Sequence, residues 1–316
     1  HQVSMTSCET IRGDSMRSEV NFINSLTSGG FEWVNLINPT HQEVETLCKA
    51  HDLEYETVIT ALDEEERSRV QIEDNFTMII VDVPVSFESD TYYSTVPLGI
   101  VKTDRMLLTL CTQELNVFSK RLKVTTTSIN AHIYQILYTI SIQYLGYLRV
   151  IERKSSQVER ALRHSPQNED LIEMLDLQKS LVYMSSSLRS NQIVLERLVK
   201  LEKNDTPEAE MLEDVIIENK QAIDMSKIYG NILSSNLNVF ETIISNNLNM
   251  VMKFLTVVSV IIAVPTVVSS FWGMNVPVPF QENKYGFLIF SIISVIITIL
   301  AGLYINRKEN RRYKNK

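Results

Sequence analysis

Cysteine is scarce in this sequence. Cys8, Cys48 and Cys111 are the three present among 316 residues, odd in number and far apart. No CxxC pair occurs, and His1, His41, His51, His132 and His164 make no cluster with them at metal-ligand spacing. That argues against a disulfide scaffold and against a zinc site, and favours free thiols in a reducing compartment. No glycine-rich phosphate loop, nucleophile elbow or other catalytic constellation is present, so nothing points to an enzyme or to an organic cofactor. Bases are too few for a nucleic-acid partner: 30 Lys and Arg stand against 38 Asp and Glu, a formal charge of −8. The acidic balance fits a surface that attracts cations, and is equally ordinary for a cytosolic domain. No signal-type apolar run opens the chain, and His1 to Ser4, ahead of Met5, read as an appended scar. Two further absences organise the rest. No charge occurs from Phe254 to Trp272, and no proline occurs between Pro207 and Pro265.

The uncharged stretch is long enough to cross a bilayer core, at about 28 Å of helix. Its polar residues are not scattered. Met252, Ser259, Thr266 and Gly273 recur at a spacing of seven, and Leu255, Ile262 and Ser269 follow the first three of them by three. That is the seam of a helix packed against copies of itself or against neighbours. Met and Leu at one end with Ser, Thr and Gly toward the other suggest a lined passage. Small and hydroxyl residues are also common wherever membrane helices touch closely. The stretch ends in Phe271 and Trp272, aromatic residues suited to a membrane interface. Gly273-Met274-Asn275 then precedes Val276-Pro277, and the proline stops the helix. Asn275 offers a neutral amide oxygen at the mouth.

Ahead of this lie two kinds of pattern. Residues 1–30 are polar and read as flexible. Residues 31–125 mix strands and helices, as in a small α/β domain. Phe31–Leu36 alternates like a strand. Thr40 can cap a helix over His41–His51, and a second short helix covers Tyr55–Leu62. Asp63–Asp74 is dominated by charge. Phe76–Val85 is a buried strand, and Val96–Lys102 with Arg105–Cys111 form a hairpin about Thr103-Asp104. A helix follows near Gln113–Leu122. Asp82, Glu88 and Asp90 are read either as a cation site or as a solvated strand end.

Residues 126–205 form an antiparallel helical hairpin, with helices from about Ser128 to Arg163 and from Gln167 to Lys203. Ser165-Pro166 restarts the second, and Thr206-Pro207 with Glu208 starts a third. That third helix, in residues 206–275, runs into the membrane and includes a first transmembrane span at about 252–272. Unbroken from Pro207 to Trp272, it would be roughly 100 Å long, the length of a shaft. Asn236, Asn238, Ser245, Asn246, Asn247 and Asn249 give it an uncharged polar face near the membrane. These residues line a hydrated passage or fill solvent positions; Asn249, one turn before Met252, is read as passage-lining.

A short loop, 276–286, joins a second span at 287–305, apolar all round and read as facing lipid. The tail, 306–316, carries six bases against Glu309. Positive flanks stay in the cytoplasm, so the loop lies outside and both termini inside. The tail can also hold anionic lipid headgroups.

The order of these elements, with Gly273-Met274-Asn275 at the outer end of the first of two C-terminal spans, resembles the CorA family of magnesium channels from Phe31 to the tail. The resemblance implies an α+β protein: an N-terminal α/β cytoplasmic domain, a long helical coiled-coil shaft and two C-terminal transmembrane helices, a CorA-like funnel. It implies a homopentamer in a prokaryotic inner membrane, conducting hydrated Mg2+, with cobalt and nickel as competitors. Gly273, Met274 and Asn275 match the selectivity filter, Thr266 an inner hydroxyl, Met252 and Leu255 the apolar gate, and Asn249 a polar ring beneath it. The seam positions Ser259 and Ile262 lie between. Cytoplasmic magnesium at subunit interfaces holds the family's channels closed, and Asp214 falls where an interface ligand is expected. Its partner would come from Glu88 to Asp90 of a neighbour. The chain departs from the family in Trp272, where tyrosine is usual, in Ala263, where methionine is frequent, and in a loop whose one acid is Glu282. A zinc-transporting branch commonly replaces Met274 and carries a Gly-Gly-Pro loop; Met274 and Pro277-Val278-Pro279 argue against it. A non-transporting two-span scaffold would need neither the polar seam nor the signature.

Overall fold

The structure is a computed structural model. It describes residues 25–26, 31–86, 93–118, 128–164, 167–202, 205–277 and 284–314. The chain divides into two compact units, residues 1–237 and 238–316.

The first unit is built on a six-stranded mixed sheet. Its strands are β1 (Ser25–Leu26), β2 (Glu32–Ile37), β3 (Arg69–Ile72), β4 (Thr77–Ser86), β5 (Tyr93–Lys102) and β6 (Met106–Cys111), in the order β1-β2-β6-β5-β4-β3. The pair β2–β6 is parallel, Glu32 opposite Met106 through Ile37 opposite Cys111, and the other neighbours are antiparallel. A parallel pair needs a crossover. It contains α1 (His41–Ala50), α2 (Tyr55–Ile59) and a 3-10 turn, Thr60–Leu62, before β3, β4 and β5. Thr40 starts α1 as expected, in a reciprocal capping box. Its Oγ1 accepts from the Glu43 N–H at 3.3 Å, and its own N–H donates to Glu43 Oε2 at 2.7 Å.

Val44, Cys48, Val58 and Ala61 from this crossover pack with Leu36, Met78, Ile80, Leu108 and Leu110 into one core. The turn approaches β5 so closely that a Cβ on Gly99 would lie 2.4 Å from that of Ala61. On the other side, α3 (Ile129–His164) and α4 (Asn168–Leu201) lie against β4. With both faces covered, β2 does not alternate. Trp33, Val34, Asn35 and Leu36 are all buried, because an interior strand of a two-sided sheet has no solvent face. The buried Asn35 is reached by hydrogen bonds: Trp33 Nε1 donates to Thr109 Oγ1 at 3.1 Å, and Thr109 Oγ1 donates to Asn35 Oδ1 at 2.7 Å.

Several local expectations change. β3 lies inside the charged run and was not anticipated; edge strands are commonly polar. β1 falls within the stretch read as flexible, and the remainder of that stretch lies outside the described residues. Near Gln113–Leu122 the described residues form only the 3-10 turn Asn116–Phe118; residues 119–127 lie outside them. α4 begins at Asn168 with Gln167 as its N-cap, not at Ser165, and Gln167 makes no side-chain capping bond. Ser165 and Pro166 lie outside the described residues. The next start is as read: Thr206 Oγ1 accepts from the Ala209 N–H at 3.2 Å, and Pro207 opens α5. α5 (Pro207–Trp272) is one helix of 66 residues, and α6 (Gly286–Lys314) follows. Both cysteines within the described residues, Cys48 and Cys111, are free and buried, and burial pushes their thiols up to about 11 and about 12.

His132, on the first turn of α3, is fully buried, with the Trp33 ring edge-on at 4.9 Å and Phe31 at 6.0 Å. Neither ring nitrogen has a hydrogen-bond partner, and burial lowers its affinity for a proton. The unfolded chain binds that proton below about pH 6.5 while the folded chain does not. Stability linked to His132 is therefore intact above pH 6.5 and declines as pH falls, by up to about 1.4 kcal/mol per pH unit. Denaturant midpoints at pH 7.5 and pH 5.5 should differ more for the unsubstituted chain than for His132→Phe. An equal difference in the two would show that His132 is not the linked group.

Candidate functional site

The seam on α5 is open. Asn249, Met252, Leu255, Ser259, Ile262, Thr266, Ser269 and Gly273 are all exposed in the single chain, with Met252 at 59% and Leu255 at 56%. The partly buried residues of this stretch are Val257, Val258, Val260, Val264, Pro265 and Val268. At about 100° per residue, Val257, Val260, Val264 and Val268 fall on the side opposite the seam. The helix thus shelters a valine face and leaves its mixed polar seam uncovered.

The seam hydroxyls have a defined polarity. Ser259 Oγ donates to the Leu255 carbonyl and Thr266 Oγ1 to the Ile262 carbonyl, each at 2.8 Å. Their protons are turned into the helix, so what faces outward is an acceptor oxygen. Such an oxygen can take a hydrogen bond from a water molecule on a cation. Pro265 removes one backbone donor, and the stretch stays helical around it.

The helix ends at Trp272, and Met274, Asn275 and Val276 form a bend that is exposed throughout. Gly273 still donates helically to Ser269, at 2.9 Å. A Cβ on Gly273 would lie 3.2 Å from the Ser269 carbonyl oxygen, so a side chain there would press on the last turn. The Asn275 amide is exposed beyond that turn.

Of the candidates in the first unit, Asp214 is exposed on α5. It lines a cavity of about 570 Å³ with Asn116, Tyr138, Gln143 and Met211. Glu88 and Asp90 lie outside the described residues. Asp82 is neither a solvated strand end nor an open ligand. Burial pushes its carboxyl above the usual range, offset in part by the neighbouring hydroxyls of Ser187 and Ser68. No group of three or more His, Cys, Asp and Glu that could hold a metal occurs among the described residues. Asn236, left open between passage and solvent, donates to Glu159 Oε2 on α3 at 2.9 Å.

α6 is apolar all round, as its sequence reads, but it is not evenly exposed. Gly286 and Ser294 are buried, and Ile289, Phe290, Thr298, Ala301 and Gly302 are partly buried, while Ile292, Val295, Ile296 and Leu300 are exposed. Phe290, Ser294, Thr298 and Ala301, four, four and three residues apart, fall on one face, and the small residues among them are the sequence signal for it.

These elements define a class: a sheet-based α+β unit followed by two helices each long and apolar enough to cross a membrane, Pro207–Phe271 and Gly286–Leu303. The profile of the CorA-like Mg2+ transporter protein family matches residues 28–308. The chain belongs to that family. It is 30% identical over 289 residues to the cobalt/magnesium transport protein CorA of Methanocaldococcus jannaschii, covering 88% of this chain and 90% of that one. Its fold is similar to the complete structure of the CorA magnesium transporter from the same organism, with a TM-score of 0.77, 29% identity, and 88% and 90% of the two chains covered. The cytoplasmic domain of ZntB from Vibrio parahaemolyticus shares the fold at a TM-score of 0.56 and 14% identity, over 70% of this chain and 88% of that one.

The sheltered face of α6 carries its own test. Ser294→Phe adds bulk where Ser294 is buried, and should cost about 1–3 kcal/mol in denaturation of the detergent-solubilised protein. Ile296→Phe, on an exposed position, should stay within about 0.5 kcal/mol. Equal effects would mean that the face is not packed.

Proposed function

We propose that the protein is a divalent-cation channel that moves hydrated Mg2+, with Co2+ and Ni2+ as competitors, across a prokaryotic inner membrane. The observation that carries this is the α5 seam: exposed acceptor oxygens along one stripe, no charge, and the opposite face sheltered. Such a stripe is completed by further copies of itself, and a homopentamer places five seams around one axis. Asn275 from each copy forms the outer ring, Gly273 and Met274 position it, Thr266 and Ser259 supply oxygens further in, and Ile262, Leu255, Met252 and Asn249 lead to the cytoplasmic end. Both termini and the sheet unit lie in the cytoplasm, with the basic tail at the lipid headgroups.

Magnesium releases its water reluctantly. Neutral oxygens hydrogen-bond the hydrated ion without stripping it, and bind weakly enough for exit. Gating follows from charge. Asp214 and a neighbour's Glu88 or Asp90 repel one another when empty and are bridged by cytoplasmic Mg2+, which holds Met252 and Leu255 narrow. No organic cofactor and no catalytic step enter this mechanism. The zinc reading draws only on likeness of fold.

Proteoliposomes loaded with a magnesium-sensitive dye test the reading. Uptake through the intact chain should fall at least about tenfold in Asn275→Ala, the effect of losing about 1.4 kcal/mol of favourable interaction at the mouth. In Asp214→Ala, uptake should persist at cytoplasmic-side Mg2+ that closes the intact protein. Zinc uptake without magnesium uptake would transfer the assignment to the zinc branch. No flux of any divalent ion, from folded protein, would end the channel reading.

A further inference from the structure

The β3–β4 ladder stops where Arg69 faces Ile80, leaving β4, among the described residues, without a strand neighbour on that side from Val81 onward. On the other side Asp82 and Pro97 are a non-hydrogen-bonded pair, so the N–H and C=O of Asp82 both point to the open side. The peptide groups of Asp82 are taken up by a side chain instead. The Asn191 amide on α4 accepts from the Asp82 N–H at 2.9 Å and donates to the Asp82 carbonyl at 2.8 Å. Tyr144 on α3 donates to the same carbonyl at 3.1 Å, and Ser68 donates to Asn191 Oδ1 at 3.1 Å. Asn191 therefore stands in for the missing strand and keys α4 to the sheet. It is 5% exposed.

A second amide repeats the device one layer out. Asn219 on α5, 1% exposed, donates through Nδ2 to the Leu188 carbonyl at 3.2 Å and to Gln192 Oε1 at 2.9 Å, both on α4. Leu188, Asn191 and Gln192 occupy one turn of α4. Val81, Ser141, Asn191, Val215 and Asn219 together line a cavity of about 10 Å³ where β4, α3, α4 and α5 meet. Asn219 lies five residues after Asp214 on the same helix. A buried amide left without partners costs about 1–3 kcal/mol, so α5 cannot turn or slide here without breaking this junction or carrying α4 and β4 with it.

We propose that Asn219 and Asn191 are positioning residues that fasten α5 to the sheet through α4, so that ion occupancy near Asp214 is converted into displacement of α5. The proposal rests on the channel reading for its functional consequence and on these hydrogen bonds for its structural one, and the two are tested separately. The structural arm uses hydrogen exchange on the full-length protein in detergent. Asn191→Leu, a change on α4, should speed exchange of α5 amides around 212–226 about tenfold or more, because the fastening acts through α4. Exchange on α5 that stays at the intact rate would overturn the proposal whatever the flux shows.

The functional arm measures magnesium uptake against cytoplasmic-side Mg2+. Asn219→Leu should leave uptake in place and raise the half-inhibiting Mg2+ concentration about tenfold, within the range of ordinary coupling between sites. Asn191→Leu should move it the same way. The double variant should do no more than the larger single change, because both break one chain. Gln192→Leu, on a half-buried acceptor, is the folding-safe variant and should give a smaller shift in the same direction. Unchanged magnesium dependence in a conducting Gln192→Leu and Asn219→Leu would overturn the proposal even if both melt earlier. Absence of flux in the intact chain as well would refute the channel reading, and hydrogen exchange alone then decides the fastening.

Discussion

A helix in hydrocarbon has to satisfy its backbone polar groups within itself, since no water is there to do so. α5 meets that constraint through Trp272, and its seam hydroxyls add to it by donating to the carbonyls four residues back. The consequence reaches past stability. Once the hydroxyl protons are spent on the backbone, Ser259 and Thr266 can present only oxygen lone pairs. A stripe that looks mixed by composition presents acceptors at both of these positions, Ser259 and Thr266. This is why a seam without a single carboxylate can still be matched to a cation, through the protons of the water that the ion keeps.

The sheet unit solves a related problem by other means. Covering both faces of the sheet removes the solvent face on which a strand ordinarily places its polar residues, so Asn35, Thr109 and His132 end up inside. Thr109 serves Trp33 and Asn35 together. His132 is simply stored among aromatic rings in its neutral form. The short β3 leaves part of β4 unpaired, and Asn191 fills that gap with a side-chain amide, where another fold would have used a longer strand. Each polar insertion fixes a register: Asn191 sets where α4 lies along β4, and Asn219 sets where α5 lies along α4.

Much of this was legible in the sequence, for identifiable reasons. Thr40 with Glu43, and Thr206 with Pro207, are local signals, and both helices start where those residues put them. The proline-free run after Pro207 gave a single long helix. The seven-residue spacing of Met252, Ser259 and Thr266 marked a face that is indeed uncovered in the single chain. What stayed hidden was set by partners distant in sequence. β3 reads as a charged turn because an edge strand needs little apolar content. The exposure of β2 could not be inferred without knowing that helices lie on both sides. Asn191 and Asn219 sit in ordinary amphipathic patterns, and nothing local shows that one meets a strand more than a hundred residues earlier. The sheltered face of α6 was present in Ser294, Thr298 and Ala301, but a uniformly apolar helix masks it.

On the proposed channel reading, the division of charge along α5 follows from what each end of the helix is asked to do. A carboxylate within the span would carry a burial cost of several kcal/mol, and would hold a divalent ion too firmly to release it. Glu208, Glu210, Glu213, Asp214 and Glu218 lie in the first turns of the helix, Asp224 and Glu241 follow, and all precede the uncharged span, in a stretch where water screens them and where, on that reading, strong binding is useful. Regulation needs an ion that stays long enough to report its concentration; conduction needs one that leaves. A single helix can serve both only if the two binding chemistries are kept apart along its length. It must also be held firmly enough between them for one to affect the other. Asn219 lies between Asp214 and the seam, on the turn that faces α4, where such a hold is mechanically direct.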